Sequence, residues 1–146
     1  MSQVSINEQH KLIAFELNNE QYAIPVHQVK SIEKVIPITR VPNAQPFVKG
    51  VVNLRGVITP IIDFRTRFGI PEKEFTNTTR ILITTLDEMD VGFIVDAAND
   101  VIDVVNDHIE QTSKVVGAVD EEFIKGVVNL NDQLYVYLDL EKILKQ

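Results

Sequence analysis

The sequence predicts a mainly β chain made of two copies of one barrel-forming unit. Three observations carry this. A repeat is visible at the level of single residues, apolar runs have strand length with turn residues between them, and prolines interrupt the one stretch where a long helix would otherwise run.

Phe47-Val-Lys-Gly-Val-Val-Asn-Leu54 is echoed by Phe123-Ile-Lys-Gly-Val-Val-Asn-Leu130 at an offset of 76. Continued to Phe64 and Leu140, 8 of 18 aligned positions are identical, where average residue usage gives about one by chance. The preceding segments match by pattern at an offset of 69. Leu12, Ile13, Ala14, Leu17, Tyr22, Ile24, Val26, Val29, Ile32 and Val35 meet Ile81, Leu82, Ile83, Leu86, Val91, Phe93, Val95, Ala98, Val101 and Val104, apolar against apolar throughout. The offset grows because the connector 105–122 is longer than its counterpart 36–46. The chain thus reads as one domain over 11–146, with a first barrel subdomain over 11–78, a second over 79–146, and termini free to exchange between barrels.

In chain order, Leu12–Leu17 and Tyr22–Val26 read as strands of a hairpin around Asn18-Asn19-Glu20-Gln21. Val26, Val29 and Ile32 recur every three residues, which fits a helical turn or a strongly bent strand. Pro37, Pro42 and Pro46 forbid a long helix after it. Lys49–Leu54 and Val57–Phe64 form a second hairpin around Arg55-Gly56, and the second copy repeats the order with Leu82–Leu86, Val91–Val95, Gly126–Leu130 and Leu134–Leu138. Four or five short strands per copy suit a small closed barrel, which removes exposed sheet edges. A unit of this size is marginal alone, so the two are expected to share apolar surface. Leu140–Leu144 has helical spacing and is expected to cap one barrel.

Composition narrows the function. With 14 Lys+Arg against 21 Asp+Glu the net charge is −7, and the longest basic cluster is Arg65-Thr66-Arg67. That supplies neither the stripe a nucleic-acid binder needs nor attraction to an acidic membrane. The chain has no cysteine, which excludes disulfides and thiolate chemistry. Order is in doubt only for the polar segment Met1–His10, and the N-terminus shows no signal-like apolar run, so the cytoplasm is the expected compartment. His10, His27 and His108 lack metal-ligand spacing and read as surface or loop histidines. Asp87-Glu88-Met89-Asp90 reads as a solvated turn and not a calcium loop. The repeat-equivalent Asp63 and Asp139 could suggest acid–base chemistry, but each ends an apolar strand before a helical turn and suits an N-cap. No catalytic residue, metal or cofactor is expected.

The repeat provides an internal control. Asn53-Leu-Arg-Gly56 faces Asn129-Leu-Asn-Asp132. Gly56 suits a tight turn, and Asn131 and Asp132 tolerate the same backbone. A turn has no need of the guanidinium of Arg55, which is either an ordinary solvated residue or a partner-binding anchor.

Gln21-Tyr-Ala-Ile24, Val29-Lys-Ser-Ile32, Phe47-Val-Lys-Gly50 and Val52-Asn-Leu-Arg-Gly-Val-Ile-Thr-Pro60 with Ile62-Asp63 resemble the successive landmarks of the CheW family of chemotaxis coupling proteins, over about Lys11 to Leu144. The resemblance implies two intertwined five-stranded SH3-like β-barrels with short helical turns and a short C-terminal helix. It implies a cytoplasmic adaptor, monomeric in isolation and without enzymatic activity. Such an adaptor binds the hairpin tip of chemoreceptors and the regulatory domain of the histidine kinase CheA, and is recruited with them to membrane-associated arrays. By the same resemblance Arg55, with Asn53 and Gly56 of its motif, serves receptor coupling, Val29 and Gly50 serve partner binding, and Val26, Ile32 and Val95 line an apolar groove for a receptor helix. Ser31 stands where several relatives carry an acidic residue, so a kinase contact there is not carried over. The alternatives are a coupling protein of a non-motility pathway and a small-ligand or nucleic-acid-binding barrel.

Overall fold

The computed structural model describes residues 9–111 and 119–145. Most of the polar start and part of the connector 105–122 lie outside them.

The first copy folds as β1 (Gln9–Leu17) and β2 (Glu20–Pro25), a 3-10 turn over Val26–Gln28, β3 (Val29–Lys34), β4 (Val48–Leu54), β5 (Val57–Asp63) and the short helix α1 (Phe64–Phe68). The second follows as β6 (Arg80–Leu86), β7 (Met89–Val95), β8 (Ala97–Val105), a 3-10 turn over Asn106–His108, β9 (Ile109–Glu110), β10 (Ile124–Leu130), β11 (Gln133–Leu138) and α2 (Leu140–Leu144). The periodic Val26-Val29-Ile32 stretch is therefore turn first and strand after. Among the described residues, four hairpins turn through residue pairs that both have positive φ: Asn18/Asn19, Arg55/Gly56, Asp87/Glu88 and Asn131/Asp132. This turn matches the right-handed twist of the flanking strands. Asp63 and Asp139 cap their helices, accepting from Arg65 N at 2.9 Å and Lys142 N at 3.2 Å.

The strands form two sheets, ordered β3-β6-β7-β5-β4 (barrel I) and β8-β1-β2-β11-β10-β9 (barrel II). Each takes strands from both copies. Hairpin β6–β7 pairs with β3 and, in parallel, with β5. Hairpin β1–β2 pairs with β8 and, in parallel, with β11. Every copy thus lends its first hairpin to the barrel of the other, and the division into 11–78 and 79–146 describes the sequence repeat and not the sheets. The physical reason is that equivalent strands carry equivalent apolar faces, so a hairpin fits either barrel and the covalent path decides.

Closure comes from chain continuity. In barrel II, β8 passes through its 3-10 turn into β9, which pairs with β10. In barrel I the chain beyond β3 returns through a bridge between Thr39 and Val51, with hydrogen bonds of 2.8 Å in both directions. Gly50 makes this approach possible, because a Cβ there would overlap the Thr39 carbonyl oxygen and lie 2.8 Å from Ile38 Cγ2. Gly126 serves barrel II alike, facing the Glu110 carbonyl oxygen at 2.9 Å from a would-be Cβ. Both glycines sit at register shifts that bend their hairpins.

Strand alternation sends side chains to three cores. Val52, Ile61, Ile81, Ile83 and Ile94 fill barrel I, and Leu12, Ala23, Val104, Val128 and Tyr137 fill barrel II. The largest core lies between the barrels, where Phe15 stacks on Tyr22 and Phe64, and Phe64 on Phe93, with ring centroids 5.6, 5.6 and 4.8 Å apart. Here α2 inserts Leu140 and Ile143, so it seals the shared core instead of capping one barrel. At the edge of this core Arg65 of α1, only 8% exposed, pairs with Asp96 at 2.7 Å and donates to the Pro71 carbonyl at 3.0 Å. The same Asp96 oxygen accepts from the backbone of Asn18 at 2.8 Å, which ties the β1–β2 turn of barrel II to α1.

Two stability predictions follow from these contacts. Gly50→Ala should cost about 3 kcal/mol, since overpacking against backbone adds to strained φ, and urea unfolding would read it directly. Asp96→Ala should cost about 3–5 kcal/mol by leaving the Arg65 guanidinium buried without a counter-charge. A loss under about 1 kcal/mol in the same assay would show that Asp96 carries no such weight.

Candidate functional site

The tip of the β4–β5 hairpin gathers part of the predicted site. Arg55 occupies the first turn position with φ 53, and its side chain is 70% exposed. Asn53 accepts from Gly56 N at 2.9 Å through Oδ1, so Asn53 and Gly56 shape the turn that presents the arginine. In the other three hairpins the first turn position is Asn18, Asp87 or Asn131, residues that reach left-handed backbone at low cost. Arginine lacks the local side-chain bonds that favour it there, and holding it costs roughly 1 kcal/mol.

Arg55 leans across the seam between the two edge strands of barrel I. Its Nη2 donates to Glu33 of β3 at 3.2 Å. The Ser31 hydroxyl first, and Arg55 after it, hold the Glu33 carboxyl below its ordinary value. The pair therefore persists at neutral pH and is lost only as pH falls through that lowered value. Exposed as it is, it contributes at most about 1 kcal/mol. Nearby, Lys30 pairs with Asp90 at 2.9 Å, and this bond, ahead of one from Thr85, lowers the Asp90 carboxyl in the same way. Between the pairs lies a cavity of about 260 Å³ with Leu54, Val57 and Ile83 in its wall. Val57 and Ile58, just past the tip, stay 47% and 62% exposed. The combination is a charged fork beside open apolar surface, which suits protein recognition. A larger depression of about 380 Å³ lies along Arg40–Pro46 and contains none of the predicted site residues.

The remaining predicted residues lie elsewhere. Val26 and Val29 are half-buried against the inter-barrel core. Ile32, opposite Leu82 in register, is 45% exposed and continues that apolar edge outward. Val95 is fully buried inside the same core. It cannot line an open groove, because as the last residue of β7 its inward alternation places it beside Phe93 and Val91. Gly50 is buried and occupied with barrel closure, so any effect on partners passes through the fold.

Sequence reasoning missed Glu33 and the exposed pair Val57 and Ile58. A signal for Glu33 was present. The positions of Arg55 and Glu33 are taken in the second copy by Asn131 and Ile102, so both members of the ion pair are lost together. Among the described residues no group of three or more His, Cys, Asp and Glu side chains is placed to hold a metal ion. No helix among them is long and apolar enough to cross a membrane.

Comparison with known proteins supplies the family. The CheW-like domain model matches residues 11–146. The chemotaxis protein CheW of Bacillus subtilis is 45% identical over 134 residues, covering 92% of this chain and 86% of that protein. The chemotaxis protein CheW of Klebsiella aerogenes is 31% identical over 134 residues, covering 92% and 81%. Among solved structures, the scaffolding protein TtCheW of Thermoanaerobacter tengcongensis superposes with a TM-score of 0.88 at 30% identity, covering 95% of this chain and 94% of the other. With its two exchanged barrels and its Asn53-Leu-Arg-Gly56 turn, the chain belongs to the CheW family of chemotaxis proteins.

Proposed function

We propose that this protein is a chemotaxis adaptor that joins the cytoplasmic hairpin tip of chemoreceptors to the regulatory domain of the kinase CheA. It works in the cytoplasm, is recruited to receptor arrays at the membrane, and acts by binding alone, without turnover or cofactor. The family assignment supports the partners. The observation that carries the site is Arg55. A residue poorly suited to its backbone stands exposed at a turn where the other copy of the same unit uses asparagine. Strain kept at an exposed position, with no gain to the core, points to selection for contact.

Val26, Val29 and Ile32 form the second element of this reading. Val26 and Val29 lie where the 3-10 turn enters β3, packed against the inter-barrel core, and Ile32 follows within β3 as an exposed residue. A receptor helix resting there would use spaced apolar anchors against a rigid edge. Val95 would then support that edge from beneath and not touch the helix.

The second copy supplies the test substitution. Arg55→Asn replaces the strained residue by the one found at the matching turn. Its melting temperature should equal or exceed that of the parent protein. Titrated against a receptor-tip fragment, it should bind about 30-fold more weakly, which is roughly 2 kcal/mol. Affinity for the CheA regulatory domain, measured separately, reports which partner the arginine serves. Equal affinity of parent and variant for both partners would remove Arg55 from the site, and failure of the folded parent to bind either would remove the adaptor role.

A further inference from the structure

The basic cluster Arg65-Thr66-Arg67 finds no use in the binding site, yet both arginines are engaged. Arg67 stacks between two rings, its guanidinium carbon 4.9 Å from the Phe47 centroid and 4.8 Å from the Phe123 centroid. These phenylalanines are repeat-equivalent. One precedes β4 of barrel I and the other β10 of barrel II. Arg67 Nε also donates to the Ile143 carbonyl at 2.7 Å, and Nη2 to the Lys145 carbonyl at 2.6 Å. Those are the free carbonyls at the end of α2, where a cation is favoured. Arg67 thus belongs to α1 and holds α2, which follows the last strand of barrel II.

Arg65 reaches the other way. Residues two apart in a helix point about 200° from one another, and Arg65 meets the β1–β2 turn of barrel II through Asp96. One short helix therefore grips barrel II at two separated places. We propose that α1 is a two-armed brace that sets the angle between the barrels, with Arg67 as its positioning residue. Hairpin exchange and an extensive apolar core join the barrels, but apolar contact is itself non-directional. The planar fork of arginine, clamped between rings and bonded to two fixed carbonyls, is directional. The brace is built once. Glu141 and Ile143 stand at the matching positions of α2, so the repeat alone does not account for it.

The protein has no cysteine, which makes paired spin labelling straightforward. Labels at Thr85→Cys on β6 and Gln133→Cys on β11 report the separation of the two barrels by pulsed electron–electron resonance. In the parent background a single narrow distance distribution is expected. Arg67→Met should broaden or split it, while amide exchange protection within β6–β7 and β10–β11 is kept. A distribution as narrow as the parent's would overturn the brace. Should Arg67→Met fail to fold, Phe123→Leu decides. It removes one face of the clamp and should broaden the distribution, and an unaltered distribution there would overturn the proposal equally. The measurement is made on the free protein, so its outcome is separate from that of the adaptor reading.

Discussion

Exchange of the first hairpins is the constraint on which the rest of the structure depends. Because β1–β2 completes barrel II and β6–β7 completes barrel I, neither sequence copy owns a closed sheet. The outward faces of both hairpins, Phe15 and Tyr22 on one and Phe93 and Leu82 on the other, meet in the core between the barrels. Strand alternation makes this economical in side chains. Leu12 and Ile81 point into their barrels, whereas the adjacent Ile13 and Leu82 point into the shared core. Each strand is therefore apolar on both faces, which is why the hairpins read as near-continuous apolar runs without a clean polar alternation. Folding of either barrel requires the other half of the chain, so the two are coupled from the outset.

A scaffold built twice should be symmetric, and its departures from symmetry are informative. The closing glycines Gly50 and Gly126, the capping aspartates Asp63 and Asp139, and the ring pair Phe47 and Phe123 are kept in both copies. All serve closure, capping or the shared core. Four of the unmatched residues are charged and paired or stacked: Arg55 with Glu33 on the seam of barrel I, and Arg65 and Arg67 on α1. Their counterparts Asn131, Ile102, Glu141 and Ile143 could make neither the same ion pairs nor the same stack. The shared residues named here serve the fold, and these unshared charged ones make the barrels different from each other.

Much of this was legible in the sequence for a physical reason. Turn residues, caps and repeat spacing are local, and Asn18-Asn19, Arg55-Gly56 and Asp63 act within a few residues of themselves. Pairing partners are not local. Tyr22 and Val91 fit the same kind of face, so pattern alone cannot tell that β2 lies beside β11 and β7 beside β5. The strand β8 was hidden for a related reason. Its polar Asn99, Asp100 and Asp103 dilute the apolar pattern, and its pairing with β1 supplies what composition does not. At the site, Arg55 stood out because two copies could be compared. Val95 came to the groove through the family resemblance alone, and its position at the end of β7 buries it in the core instead.

The separation of the tip from the core also bears on the proposed binding role. Arg55, Val57 and Ile58 extend beyond the sealed part of barrel I, where substitution alters exposed area and charge but leaves packed volume untouched. Surface changes of that kind usually lie within about 0.5 kcal/mol of neutral in stability, yet an exposed arginine beside apolar surface can decide an interface. Val26 and Val29 are in the opposite position. They are half-buried against the inter-barrel core, so a change there moves stability, together with any binding the proposal assigns to them. On the proposed reading, contact at the β4–β5 tip is thus separable from stability, whereas contact at the β3 edge is tied to the fold.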